Sequence, residues 1–187
     1  MKVTEAVVSR RTKRKYTNKG VSRNLLETLV EYARFTPTGA NLQPLKYAII
    51  EGELSKKVFP LTKWSGYHPE DAPTEDEQPP CYIAILGDTE IKANGNFEVD
   101  AGAAGAVISL LAEELGLSTC WLGSIKREEI KELLKIDEKY SLLYLIAVGY
   151  SEQKADFCDS DGDIKYFMEN NVLTVPKRTK KEILVEI

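Results

Sequence analysis

The sequence predicts an α+β fold, because short apolar or β-branched runs bounded by turn formers alternate with segments of helical periodicity. The runs predict strands at Tyr47–Glu51, Tyr82–Gly87, Thr119–Leu122 and Leu142–Tyr150. With 187 residues, of which 43% are hydrophobic, the chain is long enough to bury a core. Its composition shows no sharp boundary, so we expect a single domain over residues 1–187.

The helices are predicted from their apolar spacing and their end signals. A short helix is expected around Thr4–Ser9, and a second runs from the N-cap residue Ser22 to about Arg34. Two further helices are predicted at Phe97–Leu115 and Arg127–Leu134.

The first half of the helix at Phe97–Leu115 has almost no side-chain bulk, because residues 101–106 are all alanine or glycine. Another backbone can therefore approach this helix closely. A partner helix in a homodimer and a tight crossing within the chain explain these small residues about equally well.

Residues 66–80 contain four prolines and five acidic residues. Such a composition buries little apolar surface and does not sustain a helix or a sheet ladder. We expect a mobile surface loop.

The charge is distributed unevenly. The net charge is −4, yet residues 1–20 carry seven Lys or Arg residues against one acid, and residues 51–100 carry eleven acids against four bases. Nucleic acids and anionic membranes are bound mainly through a basic surplus, so the overall balance argues against both. A concentrated cationic patch on an acidic protein fits a small anionic ligand better.

The cysteines favour a reducing, cytoplasmic setting. Cys81, Cys120 and Cys158 are widely spaced and form no C-x-x-C pair, so neither a disulfide framework nor a zinc site is indicated. A small buried apolar residue explains Cys120 as well as redox chemistry does. No signal peptide and no membrane-spanning segment are expected.

Two other features could suggest a functional site, a segment similar to a calcium-binding loop and a histidine. Both have simpler structural explanations. Asp159–Asp163 resembles the start of a calcium-binding loop, but Gly162 and Asn170 stand where the pattern requires other residues, which favours a solvated turn. His68, the one histidine, lies in the proline-rich loop without a nucleophile beside it. We expect no metal site and assign no catalytic acid or base.

The N-terminal basic run is a candidate phosphate site. On a helical turn, Arg10 and Arg14 would project from one face, and Arg11 and Thr12 would add a guanidinium and a hydroxyl. Planar guanidinium groups suit phosphate oxygens. The alternative is a solvated basic face.

Five motifs follow one another along the chain. They are Arg10–Arg14, Pro37–Pro44, Asp100–Ala104, Gly116–Gly123 and Lys177–Arg178. In this order they resemble the FMN-dependent nitroreductase family over essentially the whole chain. The resemblance implies an α+β fold with a central mixed or antiparallel sheet flanked by helices. It also implies a homodimer with FMN at the subunit interface, with residues 150–187 as a C-terminal extension that contacts the partner subunit.

The resemblance also implies which residues hold the FMN phosphate and the polar edge of the ring. Arg10, Thr12 and Arg178, helped by Arg11 and Lys177, match the phosphate ligands of the family. In a similar way, Arg14 matches the basic residue near the ribityl chain and the N1/O2 edge of the flavin, where a cation stabilises negative charge.

Two turns complete the implied cofactor site. Pro37, Thr38, Gly39 and Asn41 match the turn that reaches the flavin from the partner subunit. Leu122–Gly123 matches the segment whose backbone N–H approaches flavin N5.

The sequence departs from the family pattern at a few positions. Thr12 and Thr38 replace the usual serines, and Leu45 stands where tryptophan is common. Two alternatives remain for Lys63, Trp64 and Tyr67: they line the substrate face of the ring, or they cover the sheet.

The implied activity is hydride transfer from NAD(P)H through FMN to an electron-poor small molecule, of the nitroaromatic or quinone class. One alternative is another reaction in the same pocket, such as dehalogenation or cofactor maturation. The other is a non-catalytic binding protein with a basic docking patch.

Overall fold

The central sheet has four antiparallel strands in the order β1-β2-β4-β3 within residues 1–186, which are the residues that the computed structural model describes. Strand bounds are Leu45–Glu51 for β1, Cys81–Asp88 for β2, Ser118–Leu122 for β3 and Tyr140–Gly149 for β4. All four predicted strands are confirmed, with ends that shift by at most two residues. Every residue of β2 is buried, as expected of a strand covered on both faces.

The helices of residues 1–186 are α1 to α6. Their bounds are Val3–Ser9, Arg23–Ala33, Glu53–Val58, Glu98–Glu114, Arg127–Leu134 and Lys180–Ile183. Ser22 caps α2 as predicted, since its hydroxyl accepts a hydrogen bond from the Leu25 N–H at 3.4 Å. The sequence analysis missed α3 and α6, which have six and four residues. Helices of one or two turns leave little periodicity to detect.

The core lies on both faces of the sheet. Alternate residues of a strand point to opposite faces, so Ile83 packs with Leu29 of α2 and Ile108 of α4. On the other face, Tyr82 packs with Ile130 of α5. The apolar spacing predicted for these helices therefore identifies the sides that cover the sheet.

The two glycines of α4 have different explanations. A Cβ atom at Gly105 would lie 2.0 Å from the Trp121 ring, whereas a Cβ at Gly102 would meet no heavy atom of residues 1–186 within 4 Å. A close approach within the chain thus accounts for Gly105. Gly102 lies on an exposed side of the helix with Val99, which is 79% exposed.

A second, three-stranded sheet follows the central one. It comprises β5 (Lys154–Ser160), β6 (Phe167–Glu169) and β7 (Val172–Arg178), in the order β5-β7-β6. β5 and β7 run parallel, and β6 and β7 form a hairpin whose turn residues, Asn170 and Asn171, have positive φ angles. The sequence analysis assigned this region only as a C-terminal extension.

Residues 66–80 follow the surface in two single 3-10 turns, Pro69–Asp71 and Glu75–Glu77. The Glu77 carbonyl accepts a hydrogen bond from the Tyr16 N–H at 2.9 Å, and its carboxylate pairs with Lys15 at 3.1 Å. Pro73 and Pro79 are buried. These contacts tie the loop to the N-terminal segment, and the mobility expected of it stays a prediction.

No helix within residues 1–186 combines the length and the apolar character needed to cross a bilayer.

The Trp121 contact predicts that Gly105→Ala lowers the free energy of unfolding by about 1–3 kcal/mol, the usual range for overpacking. Gly20→Ala is the control, because a Cβ atom there would meet no heavy atom of residues 1–186 within 4 Å and the φ angle is not positive. It should change the free energy of unfolding by less than about 1 kcal/mol. Chemical denaturation of both variants measures the two changes. A Gly105→Ala protein as stable as the wild type would contradict the contact.

Candidate functional site

The basic segment, Arg10–Arg14, is extended and lies at the edge of the central sheet. Thr12 forms a parallel bridge with Thr119 of β3, and the Lys13 N–H donates to the Thr119 carbonyl at 3.1 Å. The expectation of a helical turn here is wrong, because pairing with β3 satisfies main-chain groups that a helix would use. Alternate residues of an extended chain share a side, so this geometry would still place Arg10, Thr12 and Arg14 on one side of the segment.

The cations of the basic segment form no ion pairs within residues 1–186. Arg10, Lys13 and Arg14 are half-buried and Arg11 is buried, yet none of the four forms an ion pair with any residue in 1–186. Surface cations elsewhere do pair, for example Arg23 with Glu27 at 2.8 Å. Partly buried charge without a partner is costly. The segment is therefore suited to binding an anion.

Arg11 is directed toward β5. Its guanidinium carbon lies 4.7 Å from the centre of the Phe157 ring, and its Nη1 donates to the Arg10 carbonyl. The side chain is only 7% exposed, and its Nε finds no partner among residues 1–186. Burial, together with the neighbouring charge of Arg10, lowers the pKa of Arg11, and the opposite charges of Asp156 and Glu113 offset part of this effect. A role for Arg11 at the same phosphate as Arg10 stays a prediction.

Arg14 connects the basic segment to the C-terminal region. Its backbone N–H donates to the Gln153 side-chain oxygen at 2.9 Å, and its guanidinium carbon lies 4.6 Å from the centre of the Tyr166 ring. No local signal in the sequence marks Tyr166 as a neighbour of Arg14. The structure thus adds Tyr166 to the candidate site.

The Pro37–Pro44 turn is fixed by a buried carboxylate. The Gly39 N–H donates to Asp100 Oδ1 at 3.2 Å, and the same carboxylate pairs with Lys92 at 2.9 Å. Asp100 is 3% exposed and lies in the first turn of α4. Within the turn, the Thr38 hydroxyl accepts from the Gln43 N–H at 3.1 Å. The expected cofactor residues Pro37, Gly39 and Asn41 are left exposed.

The Leu122–Gly123 turn ends β3, the strand that also holds the basic segment. The Gly123 carbonyl accepts from Arg127 Nη2 at 3.0 Å, and Arg127 also donates to the Leu142 carbonyl at 3.2 Å. The Lys63 N–H donates to the Ser124 carbonyl at 2.9 Å. The Arg127 side chain and the Lys63 backbone therefore support this turn, and the sequence analysis had assigned the helix of Arg127 only to packing.

Of the three residues with open alternatives, Lys63 is exposed, and Trp64 and Tyr67 differ from each other. Trp64 is half-buried among core residues, donates to the Thr62 hydroxyl at 2.8 Å and packs against Phe59, so it covers the sheet. Tyr67 is 57% exposed and lies against Tyr166, with the ring centres 5.2 Å apart.

A model of the nitroreductase family matches residues 7–150. The chain belongs to the nitroreductase family. It is 25% identical over 162 residues to an Archaeoglobus fulgidus protein with the provisional name NADH dehydrogenase/NAD(P)H nitroreductase, covering 83% of this chain and 88% of the relative. The family assignment confirms the resemblance carried by the five motifs.

Solved structures confirm the nitroreductase fold. An FMN-dependent nitroreductase from Clostridium difficile R20291 is 26% identical, with a TM-score of 0.68 over 88% of this chain and 97% of that one. A provisionally named nitroreductase from Desulfovibrio desulfuricans, crystallised with FMN, is 23% identical, with a TM-score of 0.75 over 100% of this chain and 97% of that one.

The C-terminal basic pair of this nitroreductase-family chain lies at the end of β7, beyond the matched residues. Lys177 stands opposite Asp159 and Arg178 opposite Ser160 in the parallel register. Arg178 pairs with Glu182 at 3.4 Å. No hydrogen bond or ion pair within residues 1–186 joins this pair to the basic segment, so their convergence on one phosphate stays a prediction.

Cys120, next to the Leu122–Gly123 turn, is 4% exposed, and burial raises the pKa of its thiol to about 12. Burial likewise raises the pKa of Cys81 to about 12. Since the thiolate is the reactive form, these cysteines are inert at neutral pH. The apolar explanation of Cys120 is therefore favoured over redox chemistry.

Asp100→Ala should destabilise the protein by about 2–4 kcal/mol, because it leaves Lys92 without a counter-ion and the Gly39 N–H without an acceptor. Asp100→Asn is the matched control, since it keeps an acceptor for Gly39 and loses only the charge. The denaturation midpoint should be highest for the wild type, lower for the Asn variant and lowest for the Ala variant. Equal stability of wild type and Ala variant would contradict the anchoring role.

Iodoacetamide at about pH 8 should modify native Cys158, which is partly exposed, and leave Cys81 and Cys120 unmodified. Peptide mass spectrometry before and after unfolding reads the three positions separately. Modification of native Cys120 at the rate of Cys158 would contradict the assignment.

Proposed function

We propose that this chain is an FMN-dependent oxidoreductase that transfers a hydride from NAD(P)H to an electron-poor small molecule, of the nitroaromatic or quinone class. The observation that carries the proposal is the basic segment, where four cations lie within five residues, buried or half-buried, and none forms an ion pair within residues 1–186. A phosphate dianion offers these cations the charge that the chain itself does not supply.

The names of similar proteins support the choice of cofactor and co-substrate. The Clostridium difficile protein is named FMN-dependent, and the Desulfovibrio desulfuricans protein was crystallised with FMN. The Archaeoglobus fulgidus relative is named for NADH and NAD(P)H. Membership of the nitroreductase family makes an oxidoreductase the expected class of enzyme.

We assign the chain's residues as follows. Arg10 and Thr12 bind the phosphate. Arg178 and Lys177 are assigned as further phosphate ligands, which requires the end of β7 to lie near the basic segment. Arg14 would stand beside the pyrimidine edge of the ring, where its charge would favour the reduced, anionic form. The Leu122–Gly123 turn, which the Arg127 side chain and the Lys63 backbone support, would place its main chain at the ring. A bound flavin would supply the hydride-transfer chemistry.

We propose that the site is completed in a homodimer. The exposed side of α4, with Gly102 and Val99, would face the partner, whose Pro37–Asn41 turn would then reach the cofactor. Asp100 links the two features, because it lies on α4 and holds Gly39. The C-terminal region at 150–187 would contact the partner as well.

Arg10→Ala should weaken FMN binding about ten- to hundredfold, because it removes a charge-assisted contact to the phosphate. Fluorescence titration of the apoprotein measures the dissociation constant. Arg23→Ala is the matched control, since Arg23 is an exposed arginine whose charge is paired with Glu27 and Glu51. The same titration of Arg178→Ala tests whether the C-terminal basic pair reaches the phosphate.

An unchanged dissociation constant for Arg10→Ala would rule out its phosphate role. The purified wild type should also be yellow, bleach under NADH or NADPH without oxygen, and recover in air. A colourless protein that binds no FMN would instead favour a non-catalytic binding function.

A further inference from the structure

Arg127 places a guanidinium group at the point where β3 ends. It is the first residue of α5, and its side chain contacts three backbone carbonyls. Nη2 donates to the Gly123 carbonyl at 3.0 Å and to the Leu143 carbonyl at 3.0 Å. Nε donates to the Leu142 carbonyl at 3.2 Å. One side chain thus joins the residue that follows β3 to two residues of β4.

An irregularity in β4 makes two of these carbonyls available. Ile85 of β2 lies opposite Tyr144, but the next residue, Leu86, lies opposite Leu142, so Leu143 is an extra residue in β4. Successive carbonyls of a regular strand point to opposite edges, whereas an extra residue bends the strand and changes the direction of its groups. Here the carbonyls of Leu142 and Leu143 both face one guanidinium group.

The pairing of β3 with β4 stops close to this irregularity. Its last pair is Leu122 opposite Leu145, and beyond it no strand within residues 1–186 pairs with this edge of β4. Backbone carbonyls left without a strand partner need another donor. Arg127 supplies charge-assisted hydrogen bonds, which are stronger than neutral ones. Its side chain therefore takes the place of strand pairing where the pairing ends.

The position of Arg127 in its own helix does not account for it. The N-terminus of a helix favours acidic residues, such as Glu128 and Glu129 here, and disfavours a cation. Arg127 also forms no ion pair within residues 1–186. A residue that breaks a local preference is often kept for function. The contacts with the three carbonyls explain this one.

The rest of the turn is held by a different segment. Backbone hydrogen bonds of 2.9 Å join the Lys63 N–H to the Ser124 carbonyl and the Lys126 N–H to the Leu61 carbonyl. These bonds hold the turn after Gly123 and do not use the guanidinium group. Removing that group should therefore release Gly123 without unfolding the turn.

We propose that Arg127 is a positioning residue of the cofactor site, because its guanidinium group sets where the Gly123 main chain lies. This inference rests on the proposed function, in which the Leu122–Gly123 turn would place its main chain at the flavin ring. The phosphate is assigned to Arg10 and Thr12, which Arg127 does not contact. Loss of Arg127 should therefore slow hydride transfer and leave the affinity for FMN nearly unchanged.

Hydrogen–deuterium exchange of the apoprotein tests the contact without the cofactor. Arg127→Met removes the donors and keeps an unbranched side chain. A peptide covering residues 121–126 should exchange at least about fivefold faster than in the wild type, because three hydrogen bonds are lost. Lys131→Met is the matched control, since it removes a cation one turn further along α5, and it should exchange as the wild type does. Equal exchange in Arg127→Met and wild type would overturn the contact.

Stopped-flow reduction of the FMN-bound protein by NADH or NADPH tests the positioning role. Arg127→Met should lower the rate constant for flavin reduction about tenfold, because small displacements of groups at the reacting centre have large effects on rate. The dissociation constant of FMN should change by less than about threefold, since no contact to the phosphate is removed. Arg127→Lys should fall between wild type and Arg127→Met, because an ammonium keeps the charge but lacks the planar fork. The Lys131→Met protein should be reduced at the wild-type rate.

The outcomes separate this inference from the proposed function. If NADH or NADPH reduces the bound FMN of Arg127→Met at the wild-type rate, the proposed function stands and the positioning role is wrong. A loss of FMN affinity as large as the loss of rate would also overturn the positioning role. If the wild type binds no FMN, the proposed function fails and the role of Arg127 at a flavin fails with it, whereas faster exchange in Arg127→Met would still support the contact with the turn.

Discussion

The candidate site depends on partly buried positive charge that the chain does not neutralise. Arg10–Arg14 cannot turn freely into solvent, because Thr12 and Lys13 are tied to Thr119 through the main chain. Burial without a counter-ion costs free energy, and an anionic ligand removes that cost. In the proposed site, the electrostatic cost of the free segment would therefore strengthen the binding of a phosphate.

The central sheet serves as the common support for this arrangement. β3 holds the basic segment at Thr119 and ends in the Leu122–Gly123 turn, so one short strand sets the positions of two parts of the proposed cofactor site. Helix α4 fixes a third part, because Asp100 holds Gly39. Residues far apart in the sequence are thus placed by rigid elements, as precise cofactor binding requires.

Local patterns in the sequence were sufficient to predict the central sheet and the main helices that cover it. The apolar runs and helix periodicities predicted the four strands and four of the helices, because those elements bury one or both faces. The strands β5 and β6 carry many exposed residues, Phe157 among them, so their sequences lack the apolar runs that mark the strands of the central sheet. The ordered motifs predicted the family. The extended basic segment, the contact of Gly105 with Trp121 and the stacking of Tyr166 on Arg14 depend on partners distant in sequence, which no local pattern reveals.

A comparison of FMN with riboflavin tests the central claim most directly, because the two ligands share the ring and the ribityl chain and differ only in the phosphate. We expect the apoprotein to bind FMN at least about a hundredfold more tightly than riboflavin, as several charge-assisted hydrogen bonds would provide. The difference should shrink at high salt, where exposed charges are screened. Equal affinities for the two ligands would show that the unpaired cations do not bind a phosphate, and would contradict the account.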